Sequence, residues 1–157
     1  VRWPAIDLPN GRRLDDPLKE TTDWSDLRRQ MQERGLLDAD KLVVVSVRWH
    51  EAGRLDVALQ NRVPVICMSN DPRGYGVNKR SADYVGRDAI IIGEYLVQSE
   101  VNANLGRYFQ SIEPLPPFVL STGARTPVTL QAFLGRGLHA APGAPDLLNP
   151  LGLGKRR

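Results

Sequence analysis

The chain has 157 residues, 41 % of them hydrophobic and 25 % charged, with a formal net charge of +3. That balance fits one globular domain with a core large enough to fold without disulfide or metal staples. The basic excess is mild, is interleaved with 18 acidic residues and lacks the single-sign patch of a nucleic-acid binder, so nucleic acid is not an expected partner.

Residues 1–22 carry Pro4, Pro9 and Pro17 among scattered charges and read as an extended lead-in that packs through Trp3, Ile6 and Leu8. The chain opens at Val1 with neither a methionine nor a signal peptide, which points to processing or to a piece of a longer protein. A helix follows near 23–34. Asp23 suits its N-cap, Trp24, Leu27 and Met31 share one face, and Gly35 suits the residue after its C-cap.

Leu42 to Val47 is short, β-branched and nearly uninterrupted, the pattern of a strand covered on both faces. Ala52, Leu55, Ala58 and Leu59 then recur at helical spacing over 50–61, and Val63-Pro64 is expected to stop that helix. Val65 to Ser69 is the second strand, and its Cys67 reads as a small buried hydrophobe. A strand, a helix of about a dozen residues and a second strand imply a parallel crossover.

The stretch from Asn70 to Arg87 is polar and turn-rich, with Asp71-Pro72 starting a turn. Ala89 to Ile92 is a third buried strand. A helix is expected over 99–111, with Ser99 as N-cap and Val101, Leu105, Tyr108, Phe109 and Ile112 on one face. Pro114, Pro116 and Pro117 then break the chain, and Phe118–Ser121 pairs with Val128–Leu134 in a hairpin around Thr122-Gly123-Ala124-Arg125.

The whole reads as an α/β protein: a three-layer sandwich with a mainly parallel, Rossmann-like sheet and an antiparallel edge hairpin. Residues 1–138 form the single domain, and 139–157 form an irregular Gly/Pro-rich tail ending in the basic Lys155-Arg156-Arg157. No stretch approaches the roughly 18 apolar residues of a membrane span.

In open α/β sheets, ligands gather outside the carboxyl ends of the strands. That edge collects Arg48, Trp49, His50 and Glu51 after the first strand, Asn70, Asp71, Arg73 and Tyr75 after the second, and Glu94 and Tyr95 after the third. Of these, Trp49, His50, Glu51, Asp71, Arg73, Tyr75 and Glu94 are the candidate ligand-binding residues. Aromatic faces with carboxylates and a guanidinium suit a sugar or another polyol. Structural roles stand beside this reading: Trp49 as a cap on the core, His50 as a helix-start residue, and Asp71–Arg73 as a loop-closing ion pair.

Several chemistries are missing. There is no Gly-x-Gly-x-x-Gly after a strand, no P-loop lysine in Arg73-Gly-Tyr-Gly76, and no Gly-x-Ser-x-Gly elbow. His50 and His139 are the only histidines, so no metal or cofactor is expected and no catalytic residue is assigned.

The order Trp24-Ser-Asp-Leu27, Leu42-Val-Val-Val-Ser-Val-Arg-Trp49, Ala52-Gly53, Asp56-x-Ala58-Leu59, Pro64-Val65-x-Cys67, Asp71-Pro72-Arg73 and Gly86-Arg87-Asp88-Ala89 spans about residues 15–95. It resembles the soluble C-terminal region of bacterial family 39-like membrane glycosyltransferases, akin to protein mannosyltransferases and lipid A aminoarabinose transferases. The resemblance implies an extracytoplasmic domain on the periplasmic face of the inner membrane. Its parent would use a polyprenyl-phosphate sugar donor, and its partners would be the membrane-embedded part of that same chain and a glycan or lipid-linked sugar. The catalytic acids of such enzymes lie between their first membrane helices, so this piece is not expected to transfer sugar alone. Two alternatives remain: a structural interaction module without a ligand, and a free-standing α/β enzyme on sugar or phosphorylated substrates, with Asp71 and Glu51 as its acid and base.

Overall fold

A computed structural model of the chain describes residues 6–7, 13–14, 24–69, 81–121 and 127–141. Of the expected lead-in, Ile6–Asp7 (β1) and Arg13–Leu14 (β2) pair as a small antiparallel ribbon. The first helix, α1, runs Ser25–Glu33. Its Trp24, Leu27 and Met31 are buried, as their spacing predicts. Gly35 ends it at φ +71°. Leu36 N–H bonds Met31 O at 2.8 Å and Gly35 N–H bonds Gln32 O at 3.1 Å, the paired closure of a Schellman motif.

Strand β3 is Leu42–Ser46, helix α2 is Trp49–Leu59 and strand β4 is Val65–Cys67. The helix stops before the proline does any work. Gln60 and Asn61 turn left-handed, at φ 48° and 59°, and Pro64 only heads the next strand. Strand β5 is Asp88–Gly93 and helix α3 is Gln98–Leu105. The expected helix over 99–111 is thus shorter. It tightens into a 3₁₀ turn at Gly106–Tyr108, and Phe109 is already extended, at φ −132°. Its N-cap is Val97, not Ser99.

The largest departure is β6, Ser111–Leu120, which runs through all three prolines expected to break the chain. It pairs antiparallel with β7, Val128–Arg136, and the register slips between Leu115 and Phe118. The five-stranded sheet has the order β4-β3-β5-β7-β6, so β6 lies at an edge. Proline is tolerated there, and at bulges, because its missing N–H interrupts no ladder. Helix α1 then serves the slipped segment. Arg34 donates to Pro116 O at 2.6 Å and Pro117 O at 2.9 Å, and its guanidinium lies 4.1 Å from the centre of the Phe118 ring. Gln30 Nε2 donates to Val119 O at 2.9 Å.

The fold is therefore mixed α/β, its five-stranded sheet having two parallel ladders (β3–β4, β3–β5) and two antiparallel ones (β5–β7, β6–β7). The expected antiparallel edge pair is present, but parallel pairing is confined to the β4–β3–β5 half. Along β3, Val44 joins the apolar cluster of α1 and α2, whereas Val43 and Val45 join that of α3. The alternation of β5 divides likewise: Ile90 and Ile92 go to the first cluster, Ala89 and Ile91 to the second. Burying each of Leu27, Leu55 and Leu105 contributes about 1.5–3 kcal/mol. Cys67 is buried at the end of β4, as expected.

The start of the expected tail is held in place. His139 N–H bonds Tyr108 O at 2.8 Å, and Ala141 packs on the α3 cluster. Among the described residues, no helix is long and apolar enough to cross a membrane.

Candidate functional site

The parallel strands β3, β4 and β5 end together at Ser46, Cys67 and Gly93. Neighbouring strands pair β4-β3-β5, so the chain leaves β3 toward one neighbour and reaches the other only afterwards. Such a reversal of strand order opens a crevice at the carboxyl edge.

Ser46 builds the turn out of β3. Its buried hydroxyl donates to Arg48 O at 2.8 Å and accepts from Arg48 N–H at 3.2 Å. That local bond lets the strand pass into α2 within two residues. Arg48 stays extended as the N-cap, and its carbonyl accepts from Ala52 N–H at 3.0 Å. Nothing in the run Val-Ser-Val-Arg announces this; only the serine at the end of an apolar run hints at it.

The turn separates the candidates. Trp49 is 40 % exposed, so it does not cap the core, and its ring meets that of His50 edge-on at 5.7 Å. Glu51 points inward and is only 3 % exposed. Its Oε1 is 3.4 Å from Arg48 Nη1, and its Oε2 finds no hydrogen-bond partner among the described residues. Gly93 makes room for it, because a β-carbon there would stand 2.7 Å from Oε2. Burial holds the Glu51 carboxyl above the ordinary carboxylate range; the Arg48 charge opposes this and the Glu94 charge adds to it. The positive end of α2, where Glu51 sits in the first turn, offsets part of the burial cost. Glu94 is half-buried, 3.9 Å from Arg54, whose guanidinium also lies 5.5 Å from the Trp24 ring centre. Arg54 thereby ties α1 to this edge.

A cleft of about 510 Å³ opens on the other side of the same edge. Val47 and Arg48 after β3, Met68 and Ser69 after β4, and Tyr95 and Leu96 after β5 line it. Helix α3 and its 3₁₀ extension line it too, with Glu100, Asn104 and Arg107 in a row. Those three positions are spaced i, i+4 and i+7, so they share a stripe, while Val101, Leu105 and Tyr108 are buried beside them.

The cleft residues are not those singled out by position alone. Trp49, His50, Glu51 and Glu94 lie on the carboxyl edge but do not line the cleft. Asp71, Arg73 and Tyr75 fall outside the described residues. Arg48 and Tyr95 do line it. The polar row of α3 was overlooked because that helix is easily read for its apolar face alone. Its signal is the repeat of Glu100, Asn104 and Arg107. Among the described residues, no group of three or more His, Cys, Asp or Glu side chains could hold a metal ion.

Compared with known protein families, curated proteins and solved structures, the chain matches none of them.

Proposed function

We propose that this chain is the extracytoplasmic accessory domain of a membrane-bound glycosyltransferase that uses a polyprenyl-phosphate sugar donor. Its carboxyl-edge cleft recognises the glycan or acceptor. One observation carries the recognition role: a cleft of about 510 Å³ lined by a carboxylate, a carboxamide and a guanidinium in a row, with Tyr95 among its other lining residues. Planar polar groups bond neighbouring hydroxyls of a sugar in pairs, and an aromatic face takes its C–H surface. The spaced motifs from Trp24 to Ala89 support the family, and with it the membrane-embedded part of the same longer protein as partner. A Rossmann-like three-layer reading of the fold accords with α1 and α2 over one apolar cluster and α3 over the other.

The role is recognition rather than bond making. Glu51, the buried carboxyl group at this edge, does not line the cleft. That weighs against a free-standing enzyme with Asp71 and Glu51 as its acid and base, which needs both at one cavity. Docking on the membrane part is the second reading. It is favoured by Trp49, Tyr95 and Val97, large apolar side chains exposed just beyond β3 and β5. An amide-detected NMR titration of the chain with soluble glycans separates the two. Shifts along 95–107 are expected for recognition, and a flat response there leaves docking alone.

A further inference from the structure

We propose that Tyr95 is a stacking platform, locked in a left-handed backbone conformation at the cleft, for the apolar face of a pyranose ring. The inference rests on the glycan reading above and names the residue that selects the ring.

The backbone observation comes first. Tyr95 has φ +58°, a conformation in which an L side chain crowds its own backbone. Glycine or asparagine would fill that position with less strain, and a bulky ring is the unfavourable choice. The other described non-glycine residues with positive φ, Gln60 and Asn61, have an evident structural task, since they end α2. Tyr95 ends no helix. It is the second residue after β5, in the short turn that leads to α3.

The second observation is where the strain sends the ring. Tyr95 is 80 % exposed, although tyrosine usually hides most of its surface. Its neighbour Leu96 is half-buried and packs on the apolar cluster of α3. Leu96 therefore anchors the turn while Tyr95 is turned outward, and both line the cleft. At 80 % exposure the ring repays little of that strain by packing.

The third observation is the polar row that lines the same cleft. Glu100, Asn104 and Arg107 present planar polar groups of both charge signs and none. A pyranose has a rim of hydroxyls and a flat C–H face, and these two surfaces match a polar row and an exposed phenol ring. A nucleobase would also stack on Tyr95, but no glycine-rich phosphate cradle accompanies the described residues of the cleft.

The test titrates the whole chain with methyl hexopyranosides, with adenosine as the competing ring, and follows amide shifts and saturation transfer to the sugar. Tyr95→Phe and Tyr95→Gly are compared with the natural chain. The expected result is shifts along α3 and transfer strongest to one C–H face of the sugar. Affinity should be preserved in Tyr95→Phe and fall about tenfold in Tyr95→Gly. The melting temperature of Tyr95→Gly should equal or exceed that of the natural chain. Glycoside shifts that persist unchanged in Tyr95→Gly would overturn the platform and leave the cleft reading standing. No glycoside response in the natural chain would overturn both. A stronger response to adenosine would overturn the pyranose, and a clear fall in the melting temperature of Tyr95→Gly would make the ring structural.

Discussion

A β-carbon on Gly93 would stand 2.7 Å from Oε2 of Glu51, so the last residue of β5 and the first turn of α2 are fitted to one another at the carboxyl edge. The carboxyl oxygen, and the Leu96 side chain whose Cγ would lie 3.1 Å from the same added carbon, leave no room for a methyl group. Gly93→Ala is expected to destabilise the chain by about 1–3 kcal/mol, the usual cost of overpacking. Urea unfolding measures it. Gly93→Ala combined with Glu51→Ala should recover part of the loss, because the double change removes the nearest clash.

Glu51 makes stability depend on pH in a direction that can be worked out. Burial raises its folded-state pKa above the ordinary value of 4.5. The neutral form is therefore favoured by folding. Its contribution is complete below the ordinary value and is lost as pH rises through the raised folded-state value. Glu51→Gln is neutral throughout. It should unfold at higher urea than the natural chain at neutral pH, and the gap should close as pH falls below the ordinary glutamate value. A constant gap across that window would show that Glu51 ionises normally.

Arg34 holds the bulged part of β6 through two carbonyls, Pro116 O and Pro117 O, and the Phe118 ring. Charge-assisted bonds of this kind stabilise by about 1.5–3 kcal/mol when sheltered and less in solvent. Arg34→Ala is expected to cost about 1–2 kcal/mol in urea unfolding. Arg34→Lys should recover only part of it, since an ammonium cannot fork across two carbonyls and stack on a ring together.

The polar row of α3 should separate binding from folding. Glu100, Asn104 and Arg107 are exposed, so alanine at each should shift stability by no more than about 0.5 kcal/mol. If the cleft takes a glycan, the same variants should lose its NMR response. Loss of stability with retained binding would put the ligand elsewhere.

The apolar runs at Leu42 and Ala89 were legible as strands because a segment covered on both faces has no polar alternation to hide it. The Gly35 stop of α1 was legible because glycine alone fills that left-handed position cheaply. The end of β6 at Phe118–Leu120 was legible, but its first part, through the prolines, was hidden. Proline argues against an interior strand, and nothing in Pro114–Pro117 says that this one lies at an edge. The end of α3 was hidden because Tyr108, Phe109 and Ile112 extend a helical spacing while the backbone has already changed to 3₁₀ and then extended. At the site, the fall of each strand into a polar segment marked the edge at which the cleft opens. Which face of that edge opens was settled by the Ser46 turn, which commits Trp49, His50 and Glu51 to α2 and leaves the cleft to α3.

The prolines of β6 also bear on what the sheet can do with a second copy of itself. An exposed edge strand offers rows of donors and acceptors that another chain can extend. Pro114, Pro116 and Pro117 remove three donors from one edge, and β4, with three residues, makes the other edge short. Neither side is a good template for strand addition. Copies crowded together would have little means of growing a continuous sheet, the more so because Gln30 and Arg34 already hold three carbonyls of the β6 edge.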